Sequence, residues 1–326
     1  MASILLTAYL PIPMPSEPQN NFKVAVGDMI DELCALSGVL EFPLEEYGVS
    51  QVAIELVETP FKNQAGLERW IKPKDIDECK IMRITTEVNT ELHWLYLIDI
   101  FQKRVIDLIV AANIAHLGSL ENHEGFIFKD ERPCSSVGSI SAFSLREVSS
   151  FTLSKGWPKL QKLDFAKVWI WALKQPGFLV GFGGGPTGRA INAFTHLFES
   201  QGYAIDLLWA MVGLEALYVV GQGISEQMRE KVWLLLGKRE THKKEITQLY
   251  AFRSKFVHGG LDFLGMHCLP PEGLATTVEK HTDDLIDSAS LAQAILAATL
   301  QELVKRDWTG LSFSYTVSDL GESTAA

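Results

Sequence analysis

The sequence predicts an α+β domain over residues 1–155, an all-α helical bundle over 156–310 and a polar tail over 311–326. Three observations carry this. Strand-type alternation and short turn-bounded apolar runs are confined to the first 155 residues. Gly156, Trp157 and Pro158 then punctuate the chain. Beyond them, five or six apolar segments of helical period follow one another through short turns, the pattern of a bundle. A chain of 326 residues also suits two domains better than one core.

Met1 to Met14 lacks a basic leader and stops at Pro11 and Pro13, so it reads as a first strand rather than a signal peptide. Val52 to Val57 is strand-like. In Lys80 to Val88, Ile81, Arg83, Thr85 and Glu87 alternate with Met82, Ile84, Thr86 and Val88, as a half-buried strand does. Glu91 to His116 predicts one long helix. Gly125 to Phe128 and Ser139 to Phe151 predict short strands. In the second part, helices are expected over Asp164 to Leu173, Arg189 to Glu199 and Tyr203 to Val220. The next is capped by Ser225 and stopped by Gly237, followed by Glu245 to His258, stopped by Gly259-Gly260, and Thr276 to Arg306.

Composition excludes several classes. The most apolar stretch, Leu92 to Leu117, is broken by Asp99, Gln102, Lys103, Arg104 and Asp107, so no membrane span is expected. Cys34, Cys79, Cys134 and Cys268 form no close pair, which fits a reducing cytoplasm without a disulfide framework. The net charge of -11 opposes general nucleic-acid binding, because phosphate contacts supply most non-specific affinity. Between Lys238 and His258, however, six Lys or Arg face two acids. On charge alone, a solvated helix face explains such a run better than a binding surface does.

That run contains the segment of greatest interest. At the helical period of about 100° per residue, Ile246, Leu249, Tyr250, Phe256 and Val257 share one apolar face, and Arg253 falls within it. A buried guanidinium must meet an anion or a partner, because an unpaired buried charge costs several kcal/mol. Its fork suits two phosphate oxygens at once. Ser254 and His258 are four apart and share a neighbouring side. Gly259-Gly260 places His258 at the helix C-terminus, where the dipole favours imidazolium. A histidine that exchanges a proton near neutral pH suits acid-base catalysis. Along the axis, Arg253 and His258 are about 7.5 Å apart, within reach of one phosphodiester. The alternative is a buried Arg253 paired with an acid such as Glu215, beside a helix-capping histidine.

Arg253-x4-His258, with polar Ser254 after the arginine, resembles the R-x(4-6)-H motif of HEPN domains. A wider pattern is similar to the Apea-like HEPN family: Gly213-Leu-Glu-Ala-Leu-Tyr218, then Leu234-Leu-Leu-Gly237, then Leu249-Tyr250-x2-Arg253-Ser-Lys255-x-Val257-His-Gly259. Trp169, Arg189, Asn192 and Ala193 are similar too, and the resemblance spans close to half of the chain. It implies a metal-independent endoribonuclease that pairs as a homodimer with two motifs facing one cleft. His258 would be the general acid or base in attack by the ribose 2′-OH, Arg253 would hold the scissile phosphate, and Ser254 would orient one of them. The products would be a 2′,3′-cyclic phosphate and a 5′-OH. Lys255, Tyr250, Lys243, Lys244 and Arg189 are the expected RNA contacts, and no metal or other cofactor is expected. The resemblance further implies a toxin or antiviral effector, with residues 1–155 sensing or regulating and a regulatory or antitoxin protein as partner. The other readings are a non-catalytic HEPN module that binds nucleotide or RNA or only dimerises, and a scaffold in which Arg253 meets a partner's acid.

Other signals are weaker. Arg189-x6-His196 repeats the bare spacing but has Ala190 after the arginine, which marks Arg189 as structural or auxiliary. Gly181 to Arg189 approaches a P-loop, but Arg189 and Ala190 replace its Lys and Ser/Thr, so an inter-helix turn is the better reading. His116, Glu121, His123 and Glu124 lack zinc-site spacing. His267-Cys268 reads as an ordinary loop. Trp157, Trp169, Trp171, Trp209 and Trp233 read as core.

Overall fold

The computed structural model describes residues 2–15, 20–57, 79–90, 93–175, 178, 184–199, 202–219, 224–238, 243–260 and 275–314. Its class is mixed α+β. Six strands form one sheet in the order β2-β3-β4-β1-β5-β6, with every neighbouring pair antiparallel. The strands are β1 (Ala2–Pro13), β2 (Glu41–Pro43), β3 (Val49–Val57), β4 (Cys79–Thr90), β5 (Gly125–Lys129) and β6 (Arg132–Val137).

The sheet follows from period two. In β1, Ile4, Leu6, Ala8, Leu10 and Ile12 point into the main core. On the opposite face, Tyr9 joins Ile81, Phe126 and Phe128 in a small apolar cluster, with Tyr9 edge-on to Phe128 at 5.4 Å. In β4, Met82, Ile84, Thr86 and Val88 are buried, as the alternation requires. Arg83 on the other face pairs with Glu55 directly opposite on β3. Ile81 departs from the expectation: it is buried on the outer face by the second cluster.

Nine α-helices are present among the described residues: α1 (Asn20–Ala35), α2 (Trp94–Ala115), α3 (Phe143–Lys155), α4 (Phe165–Leu173), α5 (Gly185–Thr195), α6 (Tyr203–Tyr218), α7 (Ile224–Leu236), α8 (Lys243–Val257) and α9 (Ala275–Arg306). A 3₁₀ turn, His196–Glu199, extends α5. None of these helices is long and apolar enough to cross a membrane. After β6 every regular element described is helical.

Three expectations are corrected. Ser139 to Phe151 is not a strand: α3 covers most of it, and only Ile140 makes an isolated bridge, to Asn122. Ser225 falls inside α7, whose described range begins at Ile224, and its side chain lies outside the described residues. The glycine-rich segment is not wholly a turn, because α5 starts at Gly185 with Pro186 in its first turn, leaving Arg189 a turn inside. α1, β2 and β6 fall outside the expected elements.

α2 sits between layers, with β1, β2 and β6 on one side and α4 and α9 on the other. That position explains why it is apolar nearly all round. The buried core runs without a break from Ile4 to Val304. Polar ties cross residue 155 as well. Gln301, fully buried on α9, donates to the carbonyls of Ile114 and Gln161 at 2.9 Å and accepts from the Gln161 N–H at 2.8 Å. Trp169 Nε1 donates to the Glu41 carbonyl at 3.1 Å.

Candidate functional site

α8 is held by Ile246, Leu249 and Phe252, all buried against its neighbours α6, α7 and α9. The buried arc is turned slightly from the expected one. Phe252 lies inside it, whereas Val257 is 50% exposed. Arg253 falls within the arc, between the directions of Leu249 and Ile246, yet is only half-buried, keeping 24% of its side-chain surface.

Its Nη2 donates to Glu215 Oε2 on α6 at 3.1 Å. Burial pushes the Glu215 carboxyl above its ordinary range, and the facing guanidinium only partly opposes this. The pair does not exhaust its own bonding capacity. Arg253 Nε and Glu215 Oε1 are enclosed, and neither makes a hydrogen bond among the described residues.

The C-terminus of α8 follows from Gly259, whose φ of +69 suits a residue without Cβ. Gly260 N–H donates to Lys255 O at 2.7 Å and Gly259 N–H to Phe256 O at 3.2 Å, the two bonds of a Schellman motif. His258 is thereby the C-cap residue, exposed, with its backbone N–H on Ser254 O at 3.1 Å. Its imidazole makes no hydrogen bond to Arg253, Ser254 or Glu215.

The remaining expected residues divide. Ser254 is half-buried one step round the helix from Arg253, Lys255 is exposed, and Tyr250 is half-buried against the core. Lys243 and Lys244 open α8, but their side chains lie outside the described residues. Arg189 is exposed on α5, which reaches α6 through Ala193 and Gly213. Gly213 and Glu215 lie about 200° apart around α6, so Arg189 is not brought to Arg253.

Glu121 accepts from Ala142 N–H at 2.9 Å and pairs with Arg146 at 2.6 Å, so it is already committed within the fold. Among the described residues no group of three or more His, Cys, Asp or Glu is assembled for a metal. His267 and Cys268 lie outside the described residues. Trp157, Trp169 and Trp171 are core. Trp209 and Trp233 are only half-buried, and Trp209 stacks on His196 at 3.9 Å. Two cavities, of about 520 Å³ beside Trp308 and Phe313 and about 390 Å³ beside His116 and Lys162, lie away from this site and include none of Arg253, Ser254 or His258.

The geometry offers an anchored guanidinium, a half-buried carboxyl beside it and an open imidazole at a helix C-terminus. No family model, no curated protein and no solved structure matches the chain.

Proposed function

We propose that the chain is a metal-independent endoribonuclease of the HEPN type, its helical part a HEPN-like all-α bundle and residues 1–155 a regulatory domain. The supporting observation is the pairing on one short helix of an Arg253 held in place by Glu215 with an exposed His258 at the dipole's negative end. Glu215 fixes the guanidinium before substrate arrives, which reduces the cost of ordering it around a phosphate. His258 takes the proton of the ribose 2′-OH, whose oxygen attacks phosphorus. The bond to the 5′-oxygen breaks, and an imidazolium returns a proton to that oxygen. Two imidazoles, one from each of two copies, divide these roles. Ser254 orients the arginine or the histidine, while Lys255, Tyr250, Lys243 and Lys244 border the RNA. DNA, lacking the 2′-OH, is not cut. A toxin or defence role and a regulatory partner belong to the same proposal.

The test is cleavage of a labelled mixed RNA pool in excess EDTA, comparing wild type with His258→Ala. His258 is exposed, so the variant keeps the fold. The expected result is cleavage to 2′,3′-cyclic ends by wild type and a loss of about 10²- to 10⁴-fold in the variant. If neither protein cuts and both bind RNA equally, the catalytic reading fails. A non-catalytic nucleotide-binding or dimerising module then takes its place. One observation favours that second reading: the charge of Arg253 is already answered within the chain, in a protein of net charge -11.

A further inference from the structure

The cavity of about 390 Å³ beside His116 has no part in the site around Arg253. Three pieces of chain wall it: the end of α2, one side of α3, and residues 156–162, where the chain leaves α3 for the remaining helices. Its size suits a small organic molecule. The walls are held by bonds within the fold. Leu163 N–H donates to Ala115 O at 2.8 Å, Gln161 Nε2 to Glu302 Oε1 at 2.6 Å and Trp157 Nε1 to Leu236 O at 3.4 Å.

The lining is one-sided in charge. His116, Lys159 and Lys162 contribute to it, and no carboxylate among the described residues does, on a chain with 40 Asp and Glu against 29 Lys and Arg. Lys162 is shared with Asp28 of α1, at 2.6 Å. Lys159 is exposed and has no ion-pair partner among the described residues. The hydroxyls of Ser149 and Thr152 already donate, to the carbonyls of Leu117 and Ser149, at 3.2 and 2.9 Å. The side-chain donors left open to the cavity are therefore two ammoniums and an imidazole.

His116 closes α2 as its C-cap residue and is half-buried. Its Nδ1 is enclosed and makes no hydrogen bond. An enclosed N–H without an acceptor is rarer and costlier than an enclosed lone pair. The neutral ring thus carries its proton on Nε2, the nitrogen left to meet the cavity. Burial first, and the Lys162 charge second, hold the imidazole below its usual range, against the opposing Asp28 carboxylate. The rest of the wall is apolar: Leu117, Leu153, Pro158 and Leu160. Leu153 is 78% exposed, which puts it on the open side.

We infer that this cavity binds a small organic anion, a carboxylate or phosphate head on a short apolar body. The head pairs with Lys159 and Lys162 and accepts from His116 Nε2–H, as charge-assisted bonds favour. The leucines and Pro158 cover the body. A neutral or cationic ligand would leave the ammonium of Lys159 unanswered. Because its contacts lie on α2, α3 and residues 156–162, the bound anion fastens the sheet side to the segment that leads into the later helices. The inference is independent of the ribonuclease reading, since none of its residues belongs to that site.

The test is calorimetric titration of the full chain with hexanoate and with hexyl phosphate, against hexanol and inorganic phosphate as the two halves alone. At least one of the amphiphiles is expected to saturate a single site at millimolar concentration or below. Hexanol and inorganic phosphate are expected to bind at least about tenfold more weakly. The tighter amphiphile identifies the head. Lys159→Met and Leu153→Glu change exposed side chains and so keep the fold, and each weakens binding by about tenfold or more. Nitrogen NMR of the His116 ring is expected to show the neutral Nε2–H form, and its signal moves on saturation. Lack of saturation by both amphiphiles overturns the inference. So does hexanol or inorganic phosphate binding as tightly as they do. Wild-type affinity in both variants, or a His116 signal unmoved at saturation, places the ligand elsewhere and overturns it as well.

Discussion

Arg253 and Glu215 share the cost of leaving water, and the two halves of the pair are not equivalent. The guanidinium keeps 24% of its surface and the carboxyl 20%. Arg253→Gln leaves a half-buried carboxylate facing a neutral amide, which costs about 1–2 kcal/mol after allowing for solvent access. Glu215→Gln keeps the shape, removes the group that suffers from burial, and costs less. The pH dependence separates them further. Because the folded carboxyl lies above its ordinary value of 4.5, the folded state binds this proton more tightly than the unfolded chain does. The site's contribution is full below that value and is lost as pH rises through the folded one. Relative to wild type, Glu215→Gln should gain stability between pH 4 and pH 7. Urea titrations across that range check it, and a flat or falling difference refutes the assignment. Arg253 on the apolar side of α8, and an acid such as Glu215 as its partner, were both legible in the sequence. Its remaining exposure of 24% was not. Periodicity says which residues share a side, not where α6, α7 and α9 stand around it, so Val257 reads as core and Phe252 does not.

Helix α8 owes its end to one residue. Gly259 closes the Schellman motif at a φ of +69, and a Cβ there meets open space, so a substitution acts through backbone strain alone. Gly259→Ala is expected to cost about 1 kcal/mol in thermal or chemical unfolding. A neutral or stabilising result would mean that the last turn is not held as described. Glycine stops are what a sequence displays best, and Gly237 and Gly259 both end helices where expected. α3 shows what it hides. Part of the inner side of this helix is polar: Ser149 Oγ donates to the Leu117 carbonyl, Ser144 Oγ to that of Leu197, and the buried Arg146 meets Glu121. Hydrophobic period cannot register a polar inner face, and what remains reads as short apolar runs, the pattern of strands. α1 is a different case. Ala25, Val26, Met29, Ile30 and Leu33 are buried at plain helical spacing, so its signal is present in the sequence.

At the scale of the molecule, α2 gathers a charged cluster that ties the sheet side to the helices. Arg104 is fully buried. Its Nε donates to the Pro43 carbonyl at 2.8 Å, and its Nη1 meets Asp107. Lys103 Nζ donates to both Asp107 oxygens, at 2.8 and 2.9 Å, and to the Phe178 carbonyl at 2.8 Å. One carboxylate thus answers two cations and, through them, joins the edge strand β2 to the residues beyond α4. The charges that break Leu92 to Leu117 in the sequence excluded a membrane span, but nothing there showed that they meet one another inside the fold. Burial drives the Asp107 carboxyl up and the Lys103 ammonium down, and the charges facing each, Lys103 and Arg104 on Asp107 and Asp107 and Glu45 on Lys103, oppose this. Asp107→Asn removes the carboxylate that Lys103 and Arg104 share, while Glu45 stays 3.9 Å from Arg104, and is expected to cost about 3–5 kcal/mol. Adding Lys103→Met to that variant removes one stranded cation and recovers part of the loss. Guanidinium unfolding followed by tryptophan fluorescence measures both, since Trp169 packs on Phe178 at 6.3 Å and reports on this junction. If Asp107→Asn costs less than about 1 kcal/mol, the cluster is wet and the two sides are held by apolar packing alone.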